Sequence, residues 1–254
     1  MTPGELTVTA LAGVVAGAVN AVAGGGSMLS FPVLIWLGLP PLTANVTNTA
    51  GLLPGYLASA VSYRHHLREQ TRRGALAVIT LVGAVLGCVL LLVPPAEVFE
   101  QVVPFLLVAG CLLIVAQPRL STMLNRRAGG GDADHPGIAY GGAFVGGVYG
   151  AYFGAGLGVM LFAVLSLIHP TRLQRANALK VFLSLLINAV AVVAFALFGP
   201  VEWSTALVLA VFSLVGGYLG ARVAQRMSDR VLRIGVLAVG VASAVWLLLD
   251  PTVG

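Results

Sequence analysis

An apolar segment interrupted by helix breakers, residues 17–55, constrains the fold more than any other part of the sequence. It is hydrophobic enough for a membrane, yet it contains three consecutive glycines, Gly24–Gly26, and four prolines. In a helix interior a glycine costs about 1 kcal/mol and a proline about 3 kcal/mol. Broken backbone at membrane depth is tolerated only where protein buries it or where it lines a cavity. The segment therefore predicts a binding site or pathway, with close packing of transmembrane helices as the simpler alternative.

The composition places this segment in a polytopic membrane protein. The chain has 254 residues, of which 58% are hydrophobic and 9% are charged, whereas a soluble domain has about 25% charged residues. Because a span takes about 20 apolar residues, we expect roughly eight to ten crossings, some of them short. The net charge of +5 comes from loops that flank the membrane, which argues against a nucleic-acid partner. Cys88 and Cys111 fall inside predicted spans and suit small apolar core residues.

The apolar runs fall into two groups on either side of one polar stretch. Residues 1–117 form a predicted first transmembrane repeat, residues 118–137 a cytoplasmic linker loop, and residues 138–254 a second repeat. Each repeat contains an apolar run, a glycine break, a short run, a proline, a helix that opens with Ala–Asn, and two ordinary spans. The matching positions are Gly24 with Gly154, Gly26 with Gly156, Pro40 with Pro170, and Asn45 with Asn177.

The number of runs in each group predicts how the two repeats are oriented. With an odd number of runs, the second repeat enters the membrane from the opposite face. The expected fold is an all-α polytopic membrane protein with two inverted-topology repeats of about five hydrophobic segments each, and with broken or half-helices at the repeat interface. Such repeats place a substrate site near the midplane, between the ends of discontinuous helices.

The basic residues predict the orientation in the membrane. Every arginine lies in one of four segments, which are residues 64–73, 118–137, 169–176 and 222–233. Short loops rich in Lys and Arg stay in the cytoplasm. We therefore expect a multi-pass protein of the cell (plasma) membrane with these loops inside and both termini outside.

The glycine-rich segment, NAVAGGGSMLSFPVLIWLGLPPLTANVTN, and a weaker counterpart, GAGLGVMLF followed by ANALK, resemble the sulfite exporter TauE/SafE family of membrane permeases. In hydropathy and repeat order the resemblance extends over essentially the whole chain. It implies a secondary transporter that exports sulfite, an organosulfonate or a related small sulfur-containing anion. We expect such a carrier to move the anion out of the cytoplasm by alternating access of its two halves.

Lys180 is the only basic residue inside a predicted span, one turn into the helix that opens at Ala176. A charge at the bilayer centre costs about 2.5–3.5 kcal/mol on insertion scales, so a lysine there predicts a function. No predicted span contains Asp or Glu, so an anionic substrate is the natural partner. The alternative is that the side chain extends to the cytoplasmic interface and leaves its ammonium group in water.

Small polar residues and glycines complete the predicted substrate site. Asparagines near two predicted helix starts would lie where unpaired backbone N–H groups attract anions, although simple N-capping explains them too. The glycines would let the backbone approach an oxyanion closely. Tyr149 and Tyr152 could donate to an anion, but packing suits them better. The predicted substrate-binding residues are Asn20, Gly24, Gly25, Gly26, Ser27, Asn45, Thr47, Asn48, Gly154, Gly156, Asn177 and Lys180.

Other function classes fit the sequence less well. A channel for an anion or small solute, built from the same broken helices, is the main alternative. We expect no enzyme, because no His or Asp inside a predicted span could activate Ser27. The four histidines (His65, His66, His135 and His169) lie in loops and offer too few ligands for a metal. The expected partners are the anion and membrane lipid, with no cofactor and no nucleic acid; a homodimer through lipid-facing helices is left open.

Overall fold

The computed structural model describes residues 2–22, 24–68, 73–127, 136–168 and 173–223, and these residues form helices without any strand. Four stretches are long and apolar enough to cross a membrane, namely Pro3–Ala21, Arg73–Leu92, Arg175–Phe198 and Trp203–Gly220. The described part of the chain is therefore that of an all-α membrane protein, as predicted. In chain order the helices are α1 (Pro3–Val22), α2 (Ser27–Trp36), α3 (Pro41–Ser62), α4 (Arg64–Arg68), α5 (Arg73–Leu92), α6 (Ala96–Arg127), α7 (Pro136–Tyr152), α8 (Leu157–Ile168), α9 (Leu173–Phe198) and α10 (Trp203–Val223).

Two short helices, α2 and α8, follow the two glycine breaks. They contain 10 and 12 residues, so each is about 15–18 Å long, roughly half the thickness of a bilayer core. Gly24 precedes α2 with a φ of 78°, and Gly154 and Gly156 precede α8 with φ values of 73° and 76°. Residues with a side chain rarely adopt such angles. The glycines therefore end one helix and redirect the chain into the next.

Glycines outside the breaks let α10 pack closely on α1 and α3. An added Cβ on Gly17 of α1 would collide with the carbonyl oxygen of Ser213, and one on Gly55 of α3 would lie 2.8 Å from the same atom. An added Cβ on Gly216 of α10 would collide with the carbonyl oxygen of Val14. Small residues at such contacts are typical of helix association in membranes. Close packing therefore explains these glycines without a substrate.

The outward face of α5 is apolar. Val78, Val82 and Val89 are 60%, 57% and 48% exposed, although they are large hydrophobic residues. They recur at the spacing of one helix face. On a soluble protein such a stripe would be an interaction site or an aggregation risk, whereas on a membrane helix it contacts lipid tails at no cost. The stripe therefore fits a helix that borders the hydrocarbon core.

Helix α3 begins one residue before its predicted run, which started at residue 42, and α9 begins about one turn before residue 176, where its run was predicted to start. α3 starts at Pro41, with Pro40 as the N-cap and no side-chain capping bond, and α9 starts at Leu173. Proline is favoured at the first helical position because its missing N–H would have no partner there. Asn45 and Asn177 consequently lie inside their helices. The prediction that they sit at helix starts and cap them is wrong.

Much of the polar stretch at residues 118–137, which was predicted to be a loop, is helical. Helix α6 continues to Arg127, and α7 begins at Pro136. The residues before Arg127 include leucine, methionine and arginine, which are good helix formers and allow α6 to extend beyond its apolar part. Residues 128–135, the predicted Pro170 boundary with His169, and the predicted last span after residue 223 lie outside the described residues.

The turn between α9 and α10 is tied to α3 through Thr47. The Glu202 N–H donates to Thr47 Oγ1 over 2.9 Å. The Glu202 carboxylate in turn accepts from the Thr205 N–H at 2.6 Å and from the Ser204 hydroxyl at 2.8 Å. Burial alone would raise the pKa of Glu202, but the hydrogen bonds from Thr205 and Ser204 lower it overall. Thr47 is therefore engaged in a connection between helices.

We expect Thr47→Val to lower the stability of the protein by about 1–2 kcal/mol, because it leaves the partly buried Glu202 N–H without an acceptor. The measurement is the thermal unfolding midpoint of the purified protein in detergent. Thr49→Val is the matched control, since the Thr49 hydroxyl donates only to the Asn45 carbonyl of its own helix. An equal loss in both variants would contradict the role assigned to Thr47.

Candidate functional site

The first break is held together by Asn20. Its side-chain oxygen accepts from the Gly26 N–H at 2.7 Å, and the Gly24 N–H donates to the Val19 carbonyl at 3.0 Å. Gly26 tolerates no side chain, because an added Cβ would collide with the carbonyl oxygen of Ala16. Asn20 is 3% exposed, and its Nδ2 has no hydrogen-bond partner in the described structure. The break thus presents a buried amide donor that protein does not satisfy.

Helix α2 begins inside the protein and faces α3. The hydroxyl groups of Ser27 and Tyr56 are hydrogen bonded to each other, and the Ser30 hydroxyl donates to Asn48 Oδ1 over 2.6 Å. Gly25 takes part through its carbonyl, which accepts from the N–H of the second residue of α2 at 3.1 Å. Ser27 and Asn48 therefore each take part in a hydrogen bond between α2 and α3.

The second break, around Gly154 and Gly156, is contacted by the opposite half of the chain. Asn45 Nδ2 donates to the Tyr152 carbonyl at 3.0 Å, which satisfies the end of α7. The Tyr149 hydroxyl donates to the Ala155 carbonyl. The Tyr149 side chain and the Tyr152 backbone thus both take part in the hydrogen bonds at the second break. Asn45 caps the end of a helix that is remote in sequence.

Aromatic rings fill the space beside the second break. The Phe31 and Phe153 rings meet edge to face with centroids 5.2 Å apart, and Phe99 lies 6.0 Å from Phe153. Phe31 and Phe99 are 1% and 2% exposed. Edge-to-face pairs of this kind are favourable beyond the area they bury. The cluster therefore closes the region next to the second break with rigid apolar groups.

The two breaks touch each other through Gly24 and Gly158. The Gly158 N–H donates to the Gly24 carbonyl at 3.1 Å, and an added Cβ on either glycine would collide with the Cα of the other. The first break and the start of α8 therefore cross at the closest approach that two backbones allow. The sequence repeat aligned Gly24 with Gly154, and it did not predict that Gly24 would contact Gly158.

Lys180 lies on α9, and its side chain is buried. It is two turns into α9 instead of one, because the helix starts at Leu173, and its side chain is 1% exposed. Ala178 and Val181, which lie near it in the sequence, belong to a buried apolar cluster that also contains Ala21. Protein encloses the side chain, which favours a role inside the molecule over extension to the interface.

Helical spacing separates the predicted polar residues of α3 into two faces. Successive helical residues differ by about 100° around the axis, so Asn45 and Asn48 share a face, while Thr47 points nearly the opposite way. That opposite face is where Thr47 meets Glu202. Thr47 therefore lies apart from the other predicted residues and is not part of the candidate substrate site.

Two tyrosines, one on α3 and one at its C-cap, were not predicted from the sequence. Tyr56 pairs with Ser27, and the Tyr63 hydroxyl is hydrogen bonded to the side chain of Asn177. Both tyrosines are buried, at 3% and 5% exposure. Their spacing from Asn45, eleven and eighteen positions along the chain, matches whole turns of a helix. This helical spacing is the sequence signal that could have identified the two tyrosines.

Comparisons with known proteins agree with a membrane transporter. The family described as Sulfite exporter TauE/SafE matches residues 9–247. A probable membrane transporter protein, ORF9 of Sinorhizobium sp, is 29% identical over 95% of this chain and 92% of its own length. The probable membrane transporter protein YfcA of Escherichia coli K12 is 25% identical over 92% of this chain and 86% of its own length. A probable membrane transporter protein of Haemophilus influenzae is 26% identical over 87% of this chain and 86% of its own length. No solved structure matches the chain.

Proposed function

Because this chain belongs to the sulfite exporter TauE/SafE family of membrane proteins, we propose that it is a secondary transporter that exports a small sulfur-containing anion, sulfite or an organosulfonate. The observation that carries this proposal is the burial of Lys180, which is 1% exposed although it lies in an apolar helix. Lys180 is the one buried charged side chain among the described residues. Charged residues inside membrane-spanning segments are rare and mark substrate or ion pathways, so a buried cation suits a site for an anion.

The starts of the two short helices support an anionic substrate. α2 begins at Ser27 and α8 at Leu157, and both residues are buried. Helix N-termini carry partial positive charge and unpaired N–H groups, and transporters with discontinuous helices direct these ends at anionic groups. Asn20 Nδ2 adds a buried donor at the first of them. The proposed site therefore consists of the two breaks, Asn20, Ser27, Asn45, Asn48, Asn177 and Lys180.

Contacts between residues 1–117 and 138–254 support their assignment as two repeats of inverted topology. Asn45 of the first segment binds the Tyr152 carbonyl of the second, and Gly158 of the second binds Gly24 of the first. Each break thus meets a residue from the other half. In our proposal the halves move against each other at this crossing and expose the site alternately to the two sides.

Energetics favour export in the proposed orientation. With the arginine-rich loops in the cytoplasm of a cell whose potential is negative inside, an anion leaving the cell gains about 2.3 kcal/mol per charge per 100 mV. Uniport of the anion would therefore suffice to drive export. Coupling to a proton carried by Lys180 or by the substrate is the other arrangement that the sequence allows.

The same half-helices would also suit a channel, but the aromatic cluster favours a carrier. Phe31, Phe99 and Phe153 fill the space beside the second break, whereas a channel needs a continuous aqueous path. A carrier must close one side before it opens the other. Such a cluster would serve as the closed side.

The test is transport by the purified protein in liposomes. We expect saturable exchange of labelled sulfite against internal sulfite, competition by sulfoacetate, and little competition by acetate or chloride. Protein-free liposomes are the control, and planar bilayers with the same protein are tested for conductance. Unitary conductance steps in the planar bilayers would show that the protein is a channel and not a carrier. Absence of flux for every sulfur-containing anion, with flux of another solute, would overturn the proposed substrate.

A further inference from the structure

Helix α9 presents a row of polar side chains to the protein interior. Asn177, Lys180 and Ser184 recur at intervals of three and four residues, so they lie along one face of α9. Lys180 and Ser184 are each 1% exposed, and Asn177 is partly buried. Asn188, one turn further along, donates its Nδ2 to the Ser184 carbonyl at 2.8 Å and is satisfied within the helix.

Two buried atoms in this row have no hydrogen-bond partner in the described structure. They are Asn177 Oδ1 and Ser184 Oγ. The Asn177 side chain is fixed through its hydrogen bond with the Tyr63 hydroxyl, which leaves its carbonyl oxygen as the unused group. Buried polar atoms in native proteins nearly always find partners, so each exception needs an explanation such as a ligand or a water molecule.

The unused oxygen of Asn177 can only accept a hydrogen bond, and this sets a chemical requirement. A simple oxyanion offers acceptors alone, which suit Lys180 and Asn20 Nδ2 but would repel Asn177 Oδ1. Asn177 and Lys180 are three residues apart along α9, which corresponds to a rise of about 4.5 Å. A ligand of two or three atoms beyond its anionic group would reach from one to the other.

We propose that the site selects anions that carry a hydrogen-bond donor next to the anionic group, with Asn177 Oδ1 accepting from that donor while Lys180 faces the anionic end. The ligand class is a short hydroxyalkyl- or aminoalkyl-sulfonate, or a sulfur oxyanion that retains a proton. This inference deepens the proposed function and rests on it, since it names the substrate class of the same site. Tyr63 is a positioning residue, because it holds the Asn177 amide in place.

The test uses two sulfonates that differ by one hydroxyl group. Ethanesulfonate ends in a methyl group and isethionate in a hydroxyl, and both are monoanions at every working pH. Binding to the wild-type protein is measured by calorimetry or by thermal stabilisation. We expect isethionate to bind about three- to tenfold more tightly, the effect of one neutral hydrogen bond. Equal binding, or tighter binding of ethanesulfonate, would overturn the inference while the proposed anion site would stand.

Variants assign the preference to Asn177. Asn177→Ala should bring the affinity ratio of the two sulfonates close to one, while Asn188→Ala should keep the wild-type ratio because its amide is already used within α9. A ratio that persists in Asn177→Ala would show that another residue reads the donor and would overturn the assignment. The comparison of the two sulfonates on the wild-type protein does not depend on any variant. The inference can therefore still be refuted if Asn177→Ala does not fold. If neither sulfonate nor sulfite binds, the proposed function itself fails.

Discussion

Gly158→Ala should destabilise the protein by about 2 kcal/mol and abolish most transport. The added methyl group would collide with Gly24 Cα and would displace the Gly158 N–H from the Gly24 carbonyl. Overpacking against backbone costs about 1–3 kcal/mol, and a lost buried hydrogen bond adds about 1 kcal/mol. Better helix propensity of alanine returns at most about 1 kcal/mol. The thermal midpoint should fall by about 4–8 °C.

Gly141→Ala is the matched control for this prediction. Gly141 also lies in a helix of the second half, but an added Cβ there would meet no atom within 4 Å. We expect this variant to be as stable as wild type or slightly more so, through propensity alone. Gly24→Ala should be worse than Gly158→Ala, because Gly24 also has a φ of 78°. If Gly158→Ala unfolds at the same temperature as Gly141→Ala, the crossing of the two breaks is not as tight as described here.

Lys180→Met should weaken anion binding by at least tenfold without unfolding the protein. Methionine has a similar length and no charge, so it fills the enclosed space of a side chain that is 1% exposed. A charge-assisted hydrogen bond to an anion contributes about 1.5–3 kcal/mol, which corresponds to a loss of affinity of at least tenfold when the charge is removed. The measurement is sulfite-induced thermal stabilisation, which is about 2.7 kcal/mol at a hundredfold excess over Kd.

Arg175→Met is the control for the change in net charge. Arg175 is on the same helix near its start and is partly exposed, so the variant alters long-range electrostatics by the same one charge. We expect it to retain most of the sulfite-induced stabilisation. Lys180→Arg should fall between wild type and Lys180→Met, because it keeps the charge in a larger group. Full stabilisation of Lys180→Met by sulfite would remove Lys180 from the site and leave the anion to the helix starts.

The membrane architecture and the position of the breaks were available from local sequence. Hydropathy predicted the apolar helices, because a membrane span depends on the composition of one segment. The glycine clusters predicted the breaks before α2 and α8, because a positive φ at Gly24, Gly154 and Gly156 is a property of the residue itself. Lys180 was identified without any tertiary information, because it is the one basic residue within a predicted span.

The partners of the polar side chains could not be obtained in this way. Asn45 pairs with the Tyr152 carbonyl, which is far away in the chain. Thr47 pairs with Glu202, and helix phase alone would not have indicated α10 as its neighbour. The start of α3 was predicted to within one residue, but its N-cap is Pro40 and not an asparagine. Helix α9 begins at Leu173, about one turn before the predicted start. Long-range pairing depends on how helices pack, which no local pattern contains.

The sequence by itself determined that this chain enters a membrane, where its helices break, and which single charge lies within its apolar runs, because each depends on residue type and neighbouring residues. Only the tertiary structure decided that Gly24 meets Gly158, that Tyr56 and Tyr63 bind Ser27 and Asn177, and that Thr47 faces away from the breaks. The physical reason is that a hydrogen bond between two helices forms only when both side chains point towards each other and lie at the same height along the helix axes. The direction and the height are both set by the packing of small residues over the whole fold.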